Sequence, residues 1–316
     1  RMTNIDFDTL YHAEVIKADS VYCINPQFRL DVDLKKPSGP VTPPKLNELI
    51  QQLTGDLEVA FVVVENGAFD INTVRDGRPS SFTSDHNNFS LQGLRIRKDA
   101  PRPLIVDRFA MAIRNYENFI RDSAFSIQFD SILINNNRIS LSSFAYKDLR
   151  DNKPDNKVSM HQLELYGLSW DDLIFQQQLK AERVILYRPV IDYEPATGKD
   201  GDLFAALAGI GKVLQLDNLQ IVDGQITIRF PNQGRLQLYD ASLLIQAGQL
   251  VEAKQPAQVK ATVDWLRFRE GLLQLAGTKA RFTGASYQGN NGQILADGIE
   301  LEQSNGTKIN AKGVKI

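Results

Sequence analysis

The feature that most constrains this chain is that it repeats itself. Ile5-Asp6-Phe7-Asp8-Thr9-Leu10 lines up with Leu168-Ser169-Trp170-Asp171-Asp172-Leu173, and Ala18-Asp19-Ser20-Val21 through Asn25-Pro26 with Ala181-Glu182-Arg183-Val184 through Arg188-Pro189, both at an offset of 163. At an offset of 157, Leu46, Ile50 and Leu53 match Leu203, Leu207 and Ile210, Val64 through Phe69 match Ile221 through Ile226, and Val106-Asp107 match Val263-Asp264. Asn137-Arg138-Ile139 then match Gly292-Gln293-Ile294 at 155, and Lys157-Val158 through Leu165 match Lys308-Ile309 through Ile316 at 151. The order is kept and the offset drifts slowly, as changes in loop length produce. A repeat of this kind decides the fold before any local reading does.

The 316 residues therefore read as two units, 1–157 and 158–316. That agrees with a length prior of about 150 residues per domain. Met2 and Ile316 both fall at the phase of Leu165, so the start of a further unit is expected at the C-terminus. The expectation is an open-ended stack in which each unit meets mainly its neighbours. Edge strands at the two ends should be free to pair with other copies. The chain opens on Arg1 and carries no signal peptide, so it reads as an excised piece whose anchor or export signal lies outside it.

Within each unit the segments read as strands. Apolar and polar residues alternate in Phe125–Phe129, Leu214–Leu216, Leu219–Ile221 and Ile226–Phe230, which places one side of each strand on apolar surroundings. Asn66-Gly67 and Asp223-Gly224 lie between apolar strands and read as tight hairpin turns needing positive φ. Asp76-Gly77, Asn232-Gln233-Gly234 and Asn290-Asn291-Gly292 punctuate likewise. Closely spaced strands and turns imply antiparallel meanders rather than βαβ units. Two short helices are expected per unit. One follows Asp8 and Asp171, whose carboxylates suit an N-cap. The other covers Leu46–Leu53 and Asp202–Ile210, preceded in the first unit by a loop with Pro37, Pro40, Pro43 and Pro44. The fold class is thus mainly β: tandem repeats of antiparallel strands forming a curved, elongated sheet or groove, with short helices.

Catalytic chemistry is hard to find. His12, His86 and His161 share no metal-ligand spacing, and His161 matches Lys312, which marks a surface position. Cys23 is the single cysteine; it rules out an internal disulfide, and its match to Leu186 points to a core role. Asp171 and Asp172 are neighbours on a helix and do not face each other. Gly209-Ile210-Gly211 lacks the rest of a phosphate loop, and no alternating carboxylates make a calcium loop. Trp170, Trp265 and Phe282 suit core positions better than ligand platforms. We therefore expect no enzyme activity, no metal and no cofactor. A net charge of −2 gives no reason to expect nucleic acid, and no apolar run reaches the ~18–20 residues of a membrane span.

One resemblance emerges from these residues. Leu216-Asp217-Asn218-Leu219-Gln220-Ile221-Val222-Asp223-Gly224-Gln225-Ile226-Thr227-Ile228 resembles the degenerate signature of AsmA-like (AsmA/TamB-type) proteins: a leucine-rich strand, an Asp-Gly or Asn-Gly turn and a second strand. Leu163–Leu173 followed by Ala181–Pro189 is similar to segments of large AsmA-like proteins of Bacteroidota. The resemblance implies a repeat protein of the Gram-negative envelope, periplasmic and anchored in the inner membrane through a segment outside this chain. It also implies a curved sheet with an apolar inner face, and a part in lipid transport or outer-membrane biogenesis. Its partners would be phospholipid or another acyl-chain ligand, envelope proteins and neighbouring repeats. The residues expected to line such a groove are Phe125, Ile127, Phe129, Leu214, Leu216, Ile226, Ile228 and Phe230. The alternative is a structural or interaction module whose apolar face closes on itself as a sandwich core; alternation alone does not separate the two, since both bury one face. A hydrolase would need a polar cluster present in one unit and missing from the other.

Overall fold

The computed structural model describes residues 1–34, 56–75, 78–97, 100, 104–120, 125–148, 155–170, 172, 179–193, 214–230, 234–248 and 262–315. They fall into two compact units. Unit 1 comprises 1–142, 148–154 and 170–177; unit 2 comprises 143–147, 155–169 and 178–316. Both are mainly β.

Unit 1 begins with β1 (Met2–Thr3), a short helix α1 (Phe7–Ala13), β2 (Val15–Ile24) and β3 (Gln27–Leu34). Two long strands follow, β4 (Asp56–Arg75) and β5 (Arg78–Ile96), then β6 (Leu104–Ile105), β7 (Arg108–Ile120) and β8 (Phe125–Asn135). The residues of β9 (Arg138–Asp148) are divided between the units. The N-cap of α1 is Asp6, not Asp8: its Oδ1 accepts the backbone N–H groups of Asp8 (3.1 Å) and Thr9 (3.0 Å). Those two donors are among the four that a helix start leaves unpaired. Hydrogen bonding from Thr9, first of all, holds the Asp6 carboxyl below its ordinary range. Asp8 sits in the first turn, where a negative charge meets the positive end of the helix.

Unit 2 holds β10 (Asp155–Tyr166), β11 (Leu179–Tyr187), β12 (Val190–Tyr193), β13 (Leu214–Arg229), β14 (Arg235–Gln246), β15 (Val263–Leu275), β16 (Thr278–Gln288), β17 (Gln293–Gln303) and β18 (Lys308–Lys315). From β13 onward these strands form an antiparallel meander. The antiparallel expectation fails at one step in each unit. β2 and β3 both pair parallel to β4, and β11 and β12 both pair parallel to β13. Parallel neighbours need a crossover of a dozen or more residues, and the chain has one in each place, 35–55 and 194–213. The helices expected at Leu46–Leu53 and Asp202–Ile210, and the four prolines, lie in those crossovers, outside the described residues. Asp76-Gly77, Asn232-Gln233 and Asp171 also lie outside the described residues; Trp170 and Asp172 are helical.

Residues matched in the sequence occupy the same registers. Met2 pairs with Val21 and Thr3 with Ser20, as Leu165 pairs with Val184 and Tyr166 with Arg183. Cys23 pairs with Val64 as Leu186 pairs with Ile221. The breaks coincide too: Asn25 N donates to Glu65 O and Arg188 N to Val222 O, while Ala68 N and Gln225 N donate to the carbonyls of Pro26 and Pro189.

Asn66-Gly67 and Asp223-Gly224 are not hairpin turns. Both lie inside one continuous strand, β4 and β13, at a bulge. Between Ile221↔Leu243 and Gly224↔Ala241, β13 carries the extra residue; between Gly224↔Ala241 and Ile226↔Leu238, β14 carries it. In unit 1, Val64↔Phe89, Gly67↔Asn87 and Phe69↔Ser84 show the same two shifts. The bulged residues are left-handed: Asn66 at φ 54°, Asp223 at 51°, His86 at 54° and Asp240 at 49°. Asn and Asp tolerate this region better than other side chains. The positive φ expected from the sequence is present, but it serves a bulge instead of a reversal.

Candidate functional site

The bulges decide which residues share a face. Period-two alternation along an unbroken β13 puts Ile221 and Ile226 on opposite sides. The extra residue shifts the phase, and both land on one side. A Cβ built on Gly224 would come within 3.0 Å of the Ile221 Cγ2, and Gly224 and Ile226 are two residues apart. In β15 the same switch brings the Phe268 ring over Gly271, with Leu238 beside it.

Below the bulge in unit 2, one lateral row reads Ile191, Ile226, Leu238, Gly271, Phe282, Ile299, Ala311; the next reads Ile228, Leu236, Leu273, Ala280, Leu301, Ile309. The rows between them, on the other face, read Asp192, Thr227, Gln237, Leu272, Arg281, Glu300, Asn310 and Arg229, Arg235, Gln274, Lys279, Glu302, Lys308. Ion pairs such as Lys308–Glu302 (3.1 Å) and Arg281–Glu270 (3.5 Å) run over that polar face. Above the bulge the apolar side continues with Leu163, Leu186, Ile221, Leu243, Leu266, Tyr287 and Ile294. It is buried at its middle, around Ile221, Leu238 and Leu243, and opens to solvent at Phe230, Leu275 and Ile309.

Unit 1 has the same arrangement in part. Cys23, Val64, Phe89, Met111 and Ile134 form one row. Below the bulge Phe129 is buried and stacks on Tyr116, ring centroids 4.2 Å apart. Here the opposite face is less polar: Tyr22, Phe61 and Leu133 are exposed on it. A depression of about 790 Å³, lined in part by Phe61, Val63, Ser90, Ala110 and Asn135, opens there.

The sequence-nominated residues are placed as follows. Ile226, Ile228 and Phe230 share the apolar face of β13, with Phe230 beside Leu275 at its open end. Ile127 and Phe129 share one face of β8. Leu216 does not join Ile226: it pairs with Ala181 in the phase of Gln220 and Val222, on the other side, because the bulge intervenes. The side chains of Phe125 and Leu214 lie outside the described residues.

Cys23 is exposed, not a core residue. Leu186, its match, pairs with both Leu163 and Ile221, whereas Cys23 among the described residues pairs with Val64. His12 and His86 lie at the surface near Asp8 and Asp85, and His161 is exposed like Lys312. No group of three or more metal-ligating side chains occurs among the described residues. Trp170 donates Nε1–H to the Asn136 carbonyl (2.6 Å) and meets the Phe109 ring edge-on at 4.7 Å.

A polar cluster not foreseen from the sequence lies on β10 and β11. The buried Glu164 accepts the Tyr166 hydroxyl (2.6 Å), the Tyr187 hydroxyl (3.2 Å) and the Gln162 amide (3.0 Å), and the Arg183 guanidinium lies over the Tyr166 ring. Burial, and then the Glu164 charge, push the Tyr187 hydroxyl above the ordinary tyrosine range. By register the corresponding residues in unit 1 are Arg1, Thr3, Ser20 and Ile24, so the cluster belongs to unit 2 alone. Each of its members satisfies another, which is how a buried carboxylate is kept in a sheet. Among the described residues no helix is long and apolar enough to cross a membrane. No protein-family model matches the chain, and no curated protein matches its sequence.

Proposed function

We propose that this chain is a non-catalytic segment of an AsmA-like repeat protein of the Gram-negative periplasm, and that it carries phospholipid acyl chains along the apolar faces of its sheets. One observation carries the reading: the bulge in β13 brings Ile221, Ile226 and Ile228 onto a single side, which the neighbouring strands continue with apolar residues, while mostly polar and charged residues lie on the other side below the bulge in unit 2. A face of this kind shields alkyl chains without any catalytic group, each CH₂ contributing about 0.8 kcal/mol when it leaves water. Phospholipid is the ligand. Other envelope proteins and further repeats are the partners, and the anchor to the inner membrane lies outside this chain. The test is mass spectrometry of an organic extract of the protein purified from a Gram-negative periplasm. Stoichiometric phospholipid is expected, lost on placing Asp at Ile127 and Ile228 while the circular dichroism of the fold is retained. A clean extract from folded protein overturns lipid carriage.

A second reading has its own support. The middle of the apolar side in unit 2, at Pro189, Ala241, Ile221 and Leu243, is fully packed. That favours a scaffold module with a closed core. Under it, the Ile228→Asp substitution unfolds the protein rather than emptying it.

A further inference from the structure

We propose that the Arg235 guanidinium, with Thr227, Gln237 and Gln274 around it, is the seat of a phosphate group on the polar face of unit 2. The residues are neighbours by register. Thr227 of β13 stands opposite Gln237 of β14, Arg229 stands opposite Arg235, and Arg235 stands opposite Gln274 of β15. Thr227 and Arg229 are two residues apart on their strand, as are Arg235 and Gln237 on theirs. All five side chains therefore share one side of the sheet, the side turned away from Ile226, Ile228 and Leu238.

Their polar groups are covered and have nothing in the protein to bond. Thr227 is 5% exposed and Gln237 9%, and the Arg235 Nε is buried without a hydrogen-bond partner. Among the described residues, the side chains of Thr227, Arg235, Gln237 and Gln274 make no hydrogen bond, and Arg235 has no ion pair. Buried polar groups are nearly always bonded, and a covered charge calls for a counter-charge. The neighbouring strand deepens the deficit, because Arg229 is a like charge directly opposite. Arg229 has its own carboxylate, Asp192, which accepts its Nη2–H through Oδ2. The Asp192 Oδ1 is also buried and unbonded, and β13 stands between it and Arg235. Unit 1 has no such gap. There Asn72 holds the place of Arg229 and donates to Asp31 (2.9 Å) and Asp70 (3.2 Å), and Ser81 stands opposite it in place of Arg235.

An anion resolves the deficit. A guanidinium presents its N–H groups as a planar fork that holds carboxylate or phosphate by two parallel bonds. One fork occupies both oxygens of a carboxylate. Here a hydroxyl and two amides stand around the fork on three strands, and a phosphate has further oxygens to receive them. The uncompensated charge is single, which a phosphodiester matches and a monoester exceeds. The shared chemistry is the phosphate group, free, on a small ester or in a lipid headgroup. The headgroup has its own support: Phe230 and Leu275, exposed where the apolar side opens, directly follow Arg229 and Gln274 in the chain. A headgroup on Arg235 leaves its chains at that end of the strands. The site itself lies on the other face and stands whether or not acyl chains are carried.

The test is calorimetric titration of the full chain with inorganic phosphate in a chloride buffer. One saturable site is expected, weakened at least tenfold by Arg235→Met. Arg269→Met, which removes an exposed arginine paired with Asp240 (2.6 Å), should leave it unchanged. Methionine keeps the apolar stem and removes the charge, so the same variant tests the cause. In chloride alone Arg235→Met should melt no lower than the native protein, since a covered, unpaired charge is gone. Added phosphate should raise the melting temperature of the native protein and not that of the variant. Short-chain phosphatidylglycerol, kept below its micelle concentration, is then compared with its deacylated headgroup. Tighter binding of the lipid by at least tenfold assigns the site to a headgroup, and equal binding assigns it to a soluble phosphate. An empty lipid extract leaves the inorganic-phosphate result untouched, so the two readings fail separately. Absence of saturable phosphate binding, or binding and thermal stabilisation by phosphate that survive Arg235→Met, overturns the site.

Discussion

The bulged seams of the two units have nearly the same backbone and opposite chemistry. In unit 1 the seam is polar. Asn87 is buried, donates its amide to the Gly67 carbonyl (2.9 Å) and accepts the Ser84 hydroxyl (2.8 Å); Asn66 donates its side chain to Asn25 (2.7 Å). In unit 2 the same ladder positions hold Ala241 in place of Asn87 and Leu238 in place of Ser84, and Ala241 is 0% exposed, opposite Gly224. One feature is kept in both. The bulge leaves a backbone N–H off the ladder, and a side chain of the neighbouring strand captures it: Asn88 Oδ1 accepts from Asn66 N (2.9 Å), and Ser242 Oγ from Asp223 N (3.0 Å). A bulge must satisfy that donor, while the filling of the seam is free to be amide or hydrocarbon.

Exchanging the fillings breaks the comparison most severely. Ala241→Asn forces a larger, polar side chain into a fully buried site, where Leu238 stands in place of the serine that donates to Asn87 in unit 1. The expected loss for unit 2 is about 3–5 kcal/mol, read as a collapsed or missing transition in urea unfolding. Asn87→Ala runs the other way. It leaves the Gly67 carbonyl without its donor, at about 2 kcal/mol, and should lower the midpoint of unit 1 alone. If Asn87→Ala is neutral, the polar seam contributes no stability and the contrast is one of packing only.

How far the sequence reveals all this is best seen at the seam. The strand segments, their alternation and the need for positive φ at Asn66 and Asp223 are legible, because each depends on neighbours in sequence. The bulge is not legible, because Asn-Gly and Asp-Gly within apolar flanks serve hairpins and bulges alike. A signal was present: the apolar phase changes parity between Leu219, Ile221 and Ile226, Ile228. Carrying one period across that change put Leu216 on the wrong face. The Glu164 cluster was invisible for another reason. Gln162, Glu164 and Tyr166 alternate in sequence, but Tyr187 and Arg183 reach them only through the β10–β11 register, which no local pattern encodes. Cys23 was misplaced because its match to Leu186 carries the residue type across and not the strand beside it.

The glycines sharpen the comparison at smaller scale. A Cβ on Gly224 would lie 2.9 Å from Pro189 Cγ and 3.0 Å from Ile221 Cγ2, whereas one on Gly67 would stay 3.4 Å from Pro26 and Val64. Gly224→Ala should therefore cost about 1–2 kcal/mol in unit 2, and Gly67→Ala less than about 0.5 kcal/mol in unit 1. Thermal melts of the pair decide this. Equal losses would mean that the two seams are packed alike.

The smallest effect is a difference in pH dependence. The Tyr187 hydroxyl is partly buried beside the Glu164 carboxylate, and both raise its proton affinity in the folded state. The unfolded chain loses that proton near pH 10. The group's contribution is therefore complete below pH 10 and is lost as pH rises from there through the higher folded value. Ile24 holds the corresponding place in unit 1 and does not titrate. Urea midpoints measured from pH 8 to 11 should fall more steeply for unit 2 of the native protein than for its Tyr187→Phe variant, with unit 1 unchanged between them. Parallel slopes in unit 2 would mean that Tyr187 reaches solvent when ionised, and that the cluster around Glu164 opens locally without loosening the sheet.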